Sequence, residues 1–183
     1  MRRRVLDARA RQSISERRAF DDARQRLVLQ LLDELAAPTL SIYLSQPPEP
    51  DTLALAARLH RAGWRIIVPS PGSGVRPWAE PSWAWYSEPL RTTPRGIPVP
   101  DDLSPADLTA ADVIIMPGLA GSLDGARLGY GGGWYDRALA SVGARAPRWL
   151  LLNDAELLDD VPRSAHDQPV DLIVTPGGVH HCR

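Results

Sequence analysis

The chain has 183 residues, of which 21 are basic and 22 acidic, so the formal net charge is −1. That length predicts one domain, and the charge balance excludes a generally basic nucleic-acid-binding protein, although not a local basic patch. Apolar residues make up 44% of the sequence, enough to build a packed core. No apolar run approaches the roughly 18 residues that span a bilayer. Because no apolar segment follows the basic start of the chain, we expect no secretory signal and a cytoplasmic location.

Two residue types exclude whole classes of chemistry. Cys182 is the single cysteine, which excludes an internal disulfide and a cysteine-based zinc site. All 21 basic residues are arginines, and the lack of lysine excludes a lysine Schiff base and a Walker phosphate loop. The first 26 residues hold nine arginines against four acids. We interpret most of these arginines as a solvated helix face, while one or two of the earliest could reach a phosphate.

Helix signals occur at intervals along the chain. Ser13 and Glu16 have capping-box spacing, which predicts a helix from there towards Ala36, ended by Pro38. Further helices are predicted over 51–62, with Gly63 as C-cap, at 105–108 as a short helix or turn, and over 135–142.

Apolar strands alternate with these helices. They are predicted over 40–44, 64–68, 83–86, 111–116, 148–152 and 171–175, with Pro69 ending the second and loops filling the rest of 70–102. The alternation predicts an α/β fold with a mainly parallel sheet in a single domain over 1–183. His60 is expected on the surface of its helix, whereas His180 and His181 are expected to form a disordered tail.

The segment from Arg127 to Asp136 is the most informative about function, because it follows a strand, is rich in glycine and opens a helix. Exposed backbone N–H groups and a helix N-terminus favour an anion such as phosphate. The Arg127 guanidinium suits phosphate oxygens, and Asp136 could hold a hard cation against them. The spacing fits neither a Walker loop nor a dinucleotide fingerprint. The alternative is a glycine-rich turn that only packs tightly.

This segment resembles the signature of the 5-formyltetrahydrofolate cyclo-ligase family, also called methenyltetrahydrofolate synthetases. The matching residues are Arg127, Leu128, Gly129, Tyr130, Gly131, Gly132, Gly133, Trp134, Tyr135 and Asp136. Residues 42–52 look like the family's first strand and folate-contacting loop, and 162–175 like its C-terminal segment. The resemblance implies a three-layer α/β domain, NagB/RpiA/CoA-transferase-like, with a mainly parallel sheet flanked by helices.

The resemblance also implies an activity: ATP-dependent conversion of 5-formyltetrahydrofolate to 5,10-methenyltetrahydrofolate. In the family, ATP phosphorylates the formyl oxygen, N10 attacks the activated carbon, and ADP and phosphate are released. The implied partners are therefore small molecules, with Mg²⁺ as cofactor and no nucleic acid or membrane. A monomer is expected, although nothing in the sequence itself fixes the oligomeric state. Two alternatives stay open: a related enzyme acting on another substrate, and a folate- or nucleotide-binding protein without turnover.

Carried over residue by residue, the resemblance implies a role for each matching position. Arg127, Tyr135 and Asp136 would be catalytic, and Asp136 and Asp167 would bind Mg²⁺. Leu44 and Glu49 would contact the pterin. ATP would be held by Arg127 through Tyr135 and by Arg2, Arg3 or Arg4, and the folate would also face Tyr130, Gly131, Gly132, Gly133 and Trp134. Without the resemblance, Asp167 is interpreted as a loop cap and Glu49 as an exposed loop charge.

Two positions depart from the family pattern. Family chains usually begin with a lysine four residues before an arginine, and this chain has arginines but no lysine there. The family also tends to place an aromatic residue before the Gly-Ile-x-x-Pro segment, where this chain has Arg95. Trp83, Trp85 or Trp134 could supply a stacking ring instead, and Trp78 could also line a pocket.

Overall fold

The computed structural model describes residues 1–35, 39–72, 78–140 and 146–183. Its α-helices are α1 (Arg2–Arg11), α2 (Ile14–Leu35), α3 (Leu53–Arg61) and α4 (Trp134–Ala140). Its strands are β1 (Thr39–Ile42), β2 (Arg65–Ser70), β3 (Ser82–Trp85), β4 (Leu90–Thr92), β5 (Pro98–Pro100), β6 (Val113–Met116), β7 (Ala120–Gly121), β8 (Arg127–Leu128), β9 (Arg148–Leu151), β10 (Leu172–Thr175) and β11 (Gly178–His181). Short 3₁₀ helices occupy Leu108–Ala110 and Asp154–Glu156.

A seven-stranded sheet in the order β11-β10-β9-β6-β1-β2-β3 forms the centre of the fold. The five strands from β10 to β2 are parallel, and both edge strands, β11 and β3, are antiparallel to their neighbours. The predicted mainly parallel sheet is therefore confirmed. Because the inner strands run in one direction, their carboxyl ends meet at one edge of the sheet, where α/β proteins bind ligands.

Helices cover both faces of this sheet, as predicted for a three-layer domain. Along β6, Val113 and Ile115 pack in a core cluster with α2 and α3. Ile114 and Met116 point to the opposite face and pack in a second cluster with α4. A third, smaller cluster joins the β7–β8 hairpin to α1. No helix among the described residues is long and apolar enough to cross a membrane.

Several predicted helices are confirmed with adjusted ends. The Glu16 backbone N–H donates to Ser13 Oγ at 3.2 Å, and Ser13 N–H donates to Glu16 Oε2 at 2.8 Å, so the capping box begins α2 as predicted. Gly63, at φ +91°, follows α3 in the left-handed conformation expected of a C-cap. The 3₁₀ helix Leu108–Ala110 lies just beyond the predicted turn at 105–108. The predicted stop at Pro38 and the last residues of the helix over 135–142 lie outside the described residues.

Helix α1 was not predicted, and the interpretation of the N-terminal arginines as solvated is wrong for two of them. Arg9 is 1% exposed and Arg24 is 3% exposed. Both are buried because they have polar partners inside the protein. Arg9 binds Glu156, and Arg24 donates to Asn153 Oδ1 at 2.8 Å and forms an ion pair with Asp21. Tertiary contacts rather than a local capping signal therefore hold α1.

Three predictions about strands and their ends were wrong. Strand β2 runs through Pro69 to Ser70, because Pro69 lies where β2 pairs with β3, beyond its pairing with β1. The stretch 70–102 holds the β4–β5 hairpin in addition to β3, among its described residues. His180 and His181 are ordered in β11, because the turn after β10 brings the chain back along that strand. His180 Nε2 lies 3.3 Å from Thr175 Oγ1.

Candidate functional site

A cavity of about 560 Å³ opens at the carboxyl edge of the parallel sheet. Segments that follow β1 and β6, together with the end of β2, form part of its wall, and the segment from β8 into α4 forms most of the rest. The lining residues are Arg2, Tyr43, Leu44, Gln46, Glu49, Pro69, Trp78, Arg95, Ile97, Pro98, Pro117, Arg127, Leu128, Gly129, Tyr130, Gly131, Gly132, Gly133, Trp134, Tyr135, Asp136, Arg137, Pro162 and Asp167.

Arg127 is the buried cation of this cavity. Its Nη2 donates to Asp136 Oδ1 at 2.7 Å, and its Nη1 donates to the Pro117 carbonyl at 3.3 Å. Its Nε is buried and has no hydrogen-bond partner among the described residues. Because a buried donor without a partner is unfavourable, this N–H is available to an anionic ligand.

The glycine-rich loop follows Arg127 directly and depends on two of its glycines. A Cβ at Gly129 would lie 2.8 Å from Arg127 Nη1, so any side chain there would displace the guanidinium. Gly131 has φ +101°, a left-handed conformation that favours glycine. Helix α1 holds the loop from outside, because Arg2 Nε donates to the Gly129 carbonyl at 2.8 Å. Arg2 thus holds the loop backbone in place, and the glycines leave that backbone accessible to a ligand.

Aromatic side chains form one wall of the cavity. The Trp134 ring packs between Trp83 and Tyr135, each at 5.1 Å between centroids, and Trp78 adds an edge contact at 6.2 Å. Trp134 Nε1 and the Tyr135 hydroxyl are buried without hydrogen-bond partners among the described residues. Burial raises the pKa of Tyr135, with the Glu49 carboxylate adding to the effect, so the hydroxyl stays protonated at neutral pH. It can donate a hydrogen bond but cannot act as a base there.

Glu49 also lines the cavity, in the loop after β1. The Gln46 backbone N–H donates to Glu49 Oε2 at 2.8 Å, and the Tyr43 hydroxyl fixes the loop by donating to the Pro50 carbonyl at 3.0 Å. Burial raises the pKa of Glu49, while the Gln46 N–H, the Tyr130 hydroxyl and the Arg9 guanidinium oppose that rise. The result is a half-buried carboxylate that can pair with N–H donors of a ligand.

Asp136 and Asp167 both face this cavity. Asp136 Oδ1 accepts hydrogen bonds from Arg127 and from the Gln168 N–H at 3.2 Å, whereas Oδ2 has no partner among the described residues. Asp167 Oδ2 accepts the Ser164 N–H at 2.6 Å, which is the loop cap expected from sequence alone. Within the described part of the chain, no group of three or more His, Cys, Asp or Glu could hold a metal. A metal bound here would therefore need oxygens from a ligand as well.

Nearly all of the sequence-predicted site residues meet in this one cavity. Arg3 and Arg4 do not line it, whereas Arg2 does. Among the tryptophans, Trp78 and Trp134 line the wall, Trp83 supports Trp134 from behind, and Trp85 instead packs under the Arg65 guanidinium at 4.2 Å. The glycine signature and the loop after β1 thus come together although about 80 residues separate them.

The sequence did not reveal the residues that support the site. Arg9 Nη1 donates to the Tyr130 hydroxyl at 3.3 Å, and Arg9 Nη2 donates to the Gly118 carbonyl at 2.8 Å. Arg137 Nη1 donates to the Gly132 carbonyl at 3.0 Å. The available signal was weak: Arg9 follows the apolar Val5 and Leu6 at helical spacing, which places it on the packed face of a helix.

Comparison with known proteins supports one family. The model of the 5-formyltetrahydrofolate cyclo-ligase family matches residues 1–176. A 5-formyltetrahydrofolate cyclo-ligase of Mycolicibacterium smegmatis is 33% identical over 147 residues, which cover 78% of this chain and 76% of that protein. The enzyme of the same name from Escherichia coli K12 is 32% identical over 149 residues, covering 78% of this chain and 80% of its own.

Solved structures give the same result for the fold. The NMR structure of Aquifex aeolicus 5,10-methenyltetrahydrofolate synthetase superimposes with a TM-score of 0.83 at 27% identity, covering 100% of this chain and 91% of that one. A 5,10-methenyltetrahydrofolate synthetase from Mycoplasma pneumoniae has a TM-score of 0.73 and covers 96% of both chains. At 20% identity, the second match speaks for the fold alone.

Proposed function

Because the chain belongs to the 5-formyltetrahydrofolate cyclo-ligase family, a family of ATP-dependent ligases, we propose that it cyclises 5-formyltetrahydrofolate to 5,10-methenyltetrahydrofolate. One observation carries this proposal: a single cavity is lined both by a glycine-rich loop with unpartnered donors and by a half-buried carboxylate. The loop suits the phosphates of ATP, and Glu49 suits the amino and ring N–H donors of a pterin.

The reaction needs ATP because an amide-like formyl group is a poor electrophile. In the first step, the formyl oxygen bonds to the γ-phosphorus of ATP, and the bond from that phosphorus to ADP breaks. In the second step, the N10 lone pair attacks the formyl carbon, the carbon–oxygen bond breaks, and phosphate leaves with the electron pair. The N10 proton is lost to solvent. Formyl oxygen is thus converted into a good leaving group.

In this scheme, Arg127 and the glycine loop would bind the phosphates of ATP. The free Nε of Arg127 and the exposed backbone N–H groups of the loop would bind phosphate oxygens, and the charge of Arg127 would stabilise the transferring group. Asp136 holds the guanidinium in place through its Oδ1. Arg2 stands beside the same loop, where a family lysine or arginine is expected, and would add a further cation near the phosphates.

The substrate would lie between this loop and the loop after β1. Leu44 and Glu49 would contact the pterin, and the Trp134 ring would form an apolar wall beside it. The protonated Tyr135 hydroxyl, unpartnered within the described protein, would donate to an oxygen of the reacting groups. These contacts would bring the formyl oxygen towards the γ-phosphate and exclude water from it.

The donor set also fits Mg²⁺. Asp136 Oδ2 is unpartnered among the described residues, Asp167 faces the same space, and Mg²⁺ is usually bound by one or two carboxylates together with substrate phosphates. Bound there, Mg²⁺ would neutralise charge on the phosphates and orient the group to be transferred. The cytoplasmic location and the monomeric state remain predictions.

An oxygen-labelling experiment tests the proposed chemistry. The enzyme is given MgATP and 5-formyltetrahydrofolate that carries ¹⁸O in the formyl group, and the released phosphate is analysed by mass spectrometry. We expect one ¹⁸O per phosphate, with acid-catalysed cyclisation, which releases the label as water, as the control. Label in water from the enzymatic reaction would contradict phosphorylation of the formyl oxygen. ATP binding without any conversion of the folate would favour the alternatives of another substrate or of binding alone.

A further inference from the structure

Arg95 differs from the other arginines that line the cavity. Arg2 donates to Gly129, Arg127 to Asp136, and Arg137 to Gly132. Arg95 is exposed and has no hydrogen-bond or ion-pair partner among the described residues, although its side chain lines the same cavity. It therefore presents a hydrated guanidinium at the mouth of the cavity, with all its donors available to a ligand.

The backbone that carries Arg95 is well fixed. The turn between β4 and β5 is closed by a hydrogen bond from the Gly96 N–H to the Thr93 carbonyl at 2.8 Å and by one from the Ile97 N–H to Thr93 Oγ1 at 3.1 Å. Thr93 itself is buried. Because the backbone of this turn is already ordered, binding a ligand to Arg95 would cost conformational entropy only in the side chain.

The same turn packs against the loop that carries Glu49. A Cβ added to Gly96 would lie 2.9 Å from Gln46 Oε1, so the two segments are in close contact. The Gln46 backbone N–H in turn holds Glu49. The turn that carries Arg95 therefore adjoins the loop that holds the half-buried Glu49, while Arg95 itself is exposed on the cavity wall.

The substrate has a charge at the matching place. A folate carries a neutral pterin, a benzoyl group and a glutamate with its carboxylates at the far end. With the pterin paired to the half-buried Glu49, the carboxylates extend towards the open mouth, where Arg95 has no competing acid partner. A planar guanidinium binds a carboxylate through two parallel hydrogen bonds.

We propose that Arg95 is a specificity-determining residue that binds the glutamate carboxylates of the folate substrate. This inference rests on the proposed function, because it assumes that a folate lies with its pterin at Glu49. It gives a role to the position where the chain has arginine in place of the family's aromatic residue. Arg95 selects for the charged tail and takes no part in phosphate transfer.

The test compares two substrates in two variants. The substrates are 5-formyltetrahydrofolate and 5-formyltetrahydropteroate, which lacks the glutamate. For Arg95→Ala, we expect the KM for the glutamate-bearing substrate to rise about 10-fold at low salt, as for the loss of a charged hydrogen bond. The kcat, the KM for ATP and the KM for the pteroate should not change. The rise should shrink as salt screens the pair.

Arg91→Ala is the matched control. Arg91 lies on β4 of the same hairpin and is exposed, with its Nε 3.8 Å from Asp101 Oδ1, and it does not line the cavity. The Arg91→Ala variant removes the same charge from the same hairpin. Because Arg91 does not line the cavity, the variant should leave the KM for both substrates unchanged. An equal effect of the two variants would mean that long-range charge alone attracts the substrate, and would overturn the assignment.

Two further outcomes would also overturn it. Equal rises in KM for the folate and the pteroate would show that Arg95 stacks on the ring system. Unchanged KM values for both would show no contact. If the wild-type enzyme turned over neither compound, the proposed function would fail separately, and calorimetric titration with the same two ligands would still test whether Arg95 binds the tail.

Discussion

Burial sets the chemical state of the groups around the cavity. It raises the pKa of Glu49, while Tyr130 and Arg9 favour the charged form of that carboxyl. It also raises the pKa of Tyr135, which keeps the hydroxyl a donor. The charge of Arg127 is balanced by Asp136 at 2.7 Å. The cavity thus holds polar groups whose best partners are those of a bound ligand.

Asp136→Asn tests the phosphate end. The change keeps the size of the side chain but removes the charge that balances Arg127 and the oxygen proposed for Mg²⁺. We expect kcat to fall on the order of 100–1000-fold, as for the loss of one preorganised electrostatic partner. Asp124→Asn, in the turn between β7 and β8 and outside the cavity lining, serves as the control and should leave kcat unchanged. Near-normal turnover in Asp136→Asn would remove Asp136 from the mechanism.

Tyr135→Phe separates function from stability. The hydroxyl is buried without a partner among the described residues, so its removal should not lower the melting temperature. If it donates to the reacting groups, kcat/KM should fall by roughly 10- to 150-fold, the equivalent of about 1.5–3 kcal/mol. Steady-state kinetics and thermal melts of the same preparation measure both effects. An unchanged kcat/KM would show that the hydroxyl does not contact the substrate.

Glu49→Gln should act in opposite directions on stability and on binding. Because the pKa of Glu49 is raised in the folded protein, this group favours folding below its unfolded pKa, and that contribution is lost as pH rises through the folded pKa. The variant should therefore melt at a higher temperature than the wild type near pH 7, and the difference should vanish below about pH 4.

Folate binding to Glu49→Gln should be weaker, because the carboxylate charge that pairs with the pterin N–H donors is gone. A series of thermal melts across pH and a titration with 5-formyltetrahydrofolate measure the two effects. ATP affinity is the internal control and should change much less. A melting difference that is the same at every pH, or equal losses of folate and ATP affinity, would contradict the assignment of Glu49.

At the scale of elements, α1 belongs to the site although it lies outside the main sheet. Arg9 makes a two-bond ion pair with Glu156, at 2.7 Å for each bond, and also reaches Tyr130 and the Gly118 carbonyl. Arg2, at the N-terminal end of the same helix, donates a hydrogen bond to the Gly129 carbonyl. Two arginines of one helix therefore fix the glycine loop and the strand end beside it.

Arg9→Met tests this coupling. It leaves Glu156 buried and unpaired, which should lower the free energy of unfolding by about 3–5 kcal/mol. The double variant Arg9→Met with Glu156→Gln should recover part of that loss, because the amide carries no charge. ATP affinity should stay low in both variants, because the contacts to Tyr130 and Gly118 are absent in both. Urea unfolding and ATP titration provide the two measurements.

Arg24→Met is the matched control for Arg9→Met. Arg24 is also a buried arginine and also binds the segment 152–153, with its Nη1 3.1 Å from the Leu152 carbonyl, but it has no hydrogen bond to the glycine loop. Its loss should reduce stability while ATP affinity is kept. Normal ATP affinity in the double variant at Arg9 and Glu156 would contradict a role for α1 in positioning the loop.

Local signals predicted the elements that depend on local chemistry. The capping box at Ser13 and the C-cap at Gly63 act within a few residues, so the sequence alone located the start of α2 and the end of α3. The predicted end of β2 at Pro69 was wrong. A proline ends a strand only where the sheet needs its missing N–H, and here β2 continues beside β3. The β11 strand depends on pairing with β10, which no local pattern of His180 reveals.

At the scale of the whole molecule, the parallel sheet assembles the site. Glu49 follows β1, and Arg127 lies beyond β6, the strand that pairs with β1. The signature motif identified the phosphate end from sequence because its residues are contiguous. The pterin end depended on the family resemblance, and the buried contacts of Arg9 to the loop could not be predicted, because they join residues more than 100 positions apart.

Ligand binding should stabilise the whole fold, because the cavity joins α1, the sheet edge and α4. At a free MgATP concentration of 100 times Kd, binding adds about 2.7 kcal/mol. For a domain of this size, that corresponds to a rise in melting temperature of roughly 5–11 °C. Differential scanning fluorimetry measures it, with ATP plus excess chelator as the control for Mg²⁺. No shift at saturating MgATP would contradict nucleotide binding in this cavity.

The most direct test of the central claim is product formation. Purified protein is mixed with 5-formyltetrahydrofolate and MgATP, and the near-ultraviolet absorption band of the methenyl product is followed. We predict that the band grows, that growth needs both ATP and Mg²⁺, and that Asp136→Asn nearly abolishes it. A flat trace from folded wild-type protein would contradict the proposed activity.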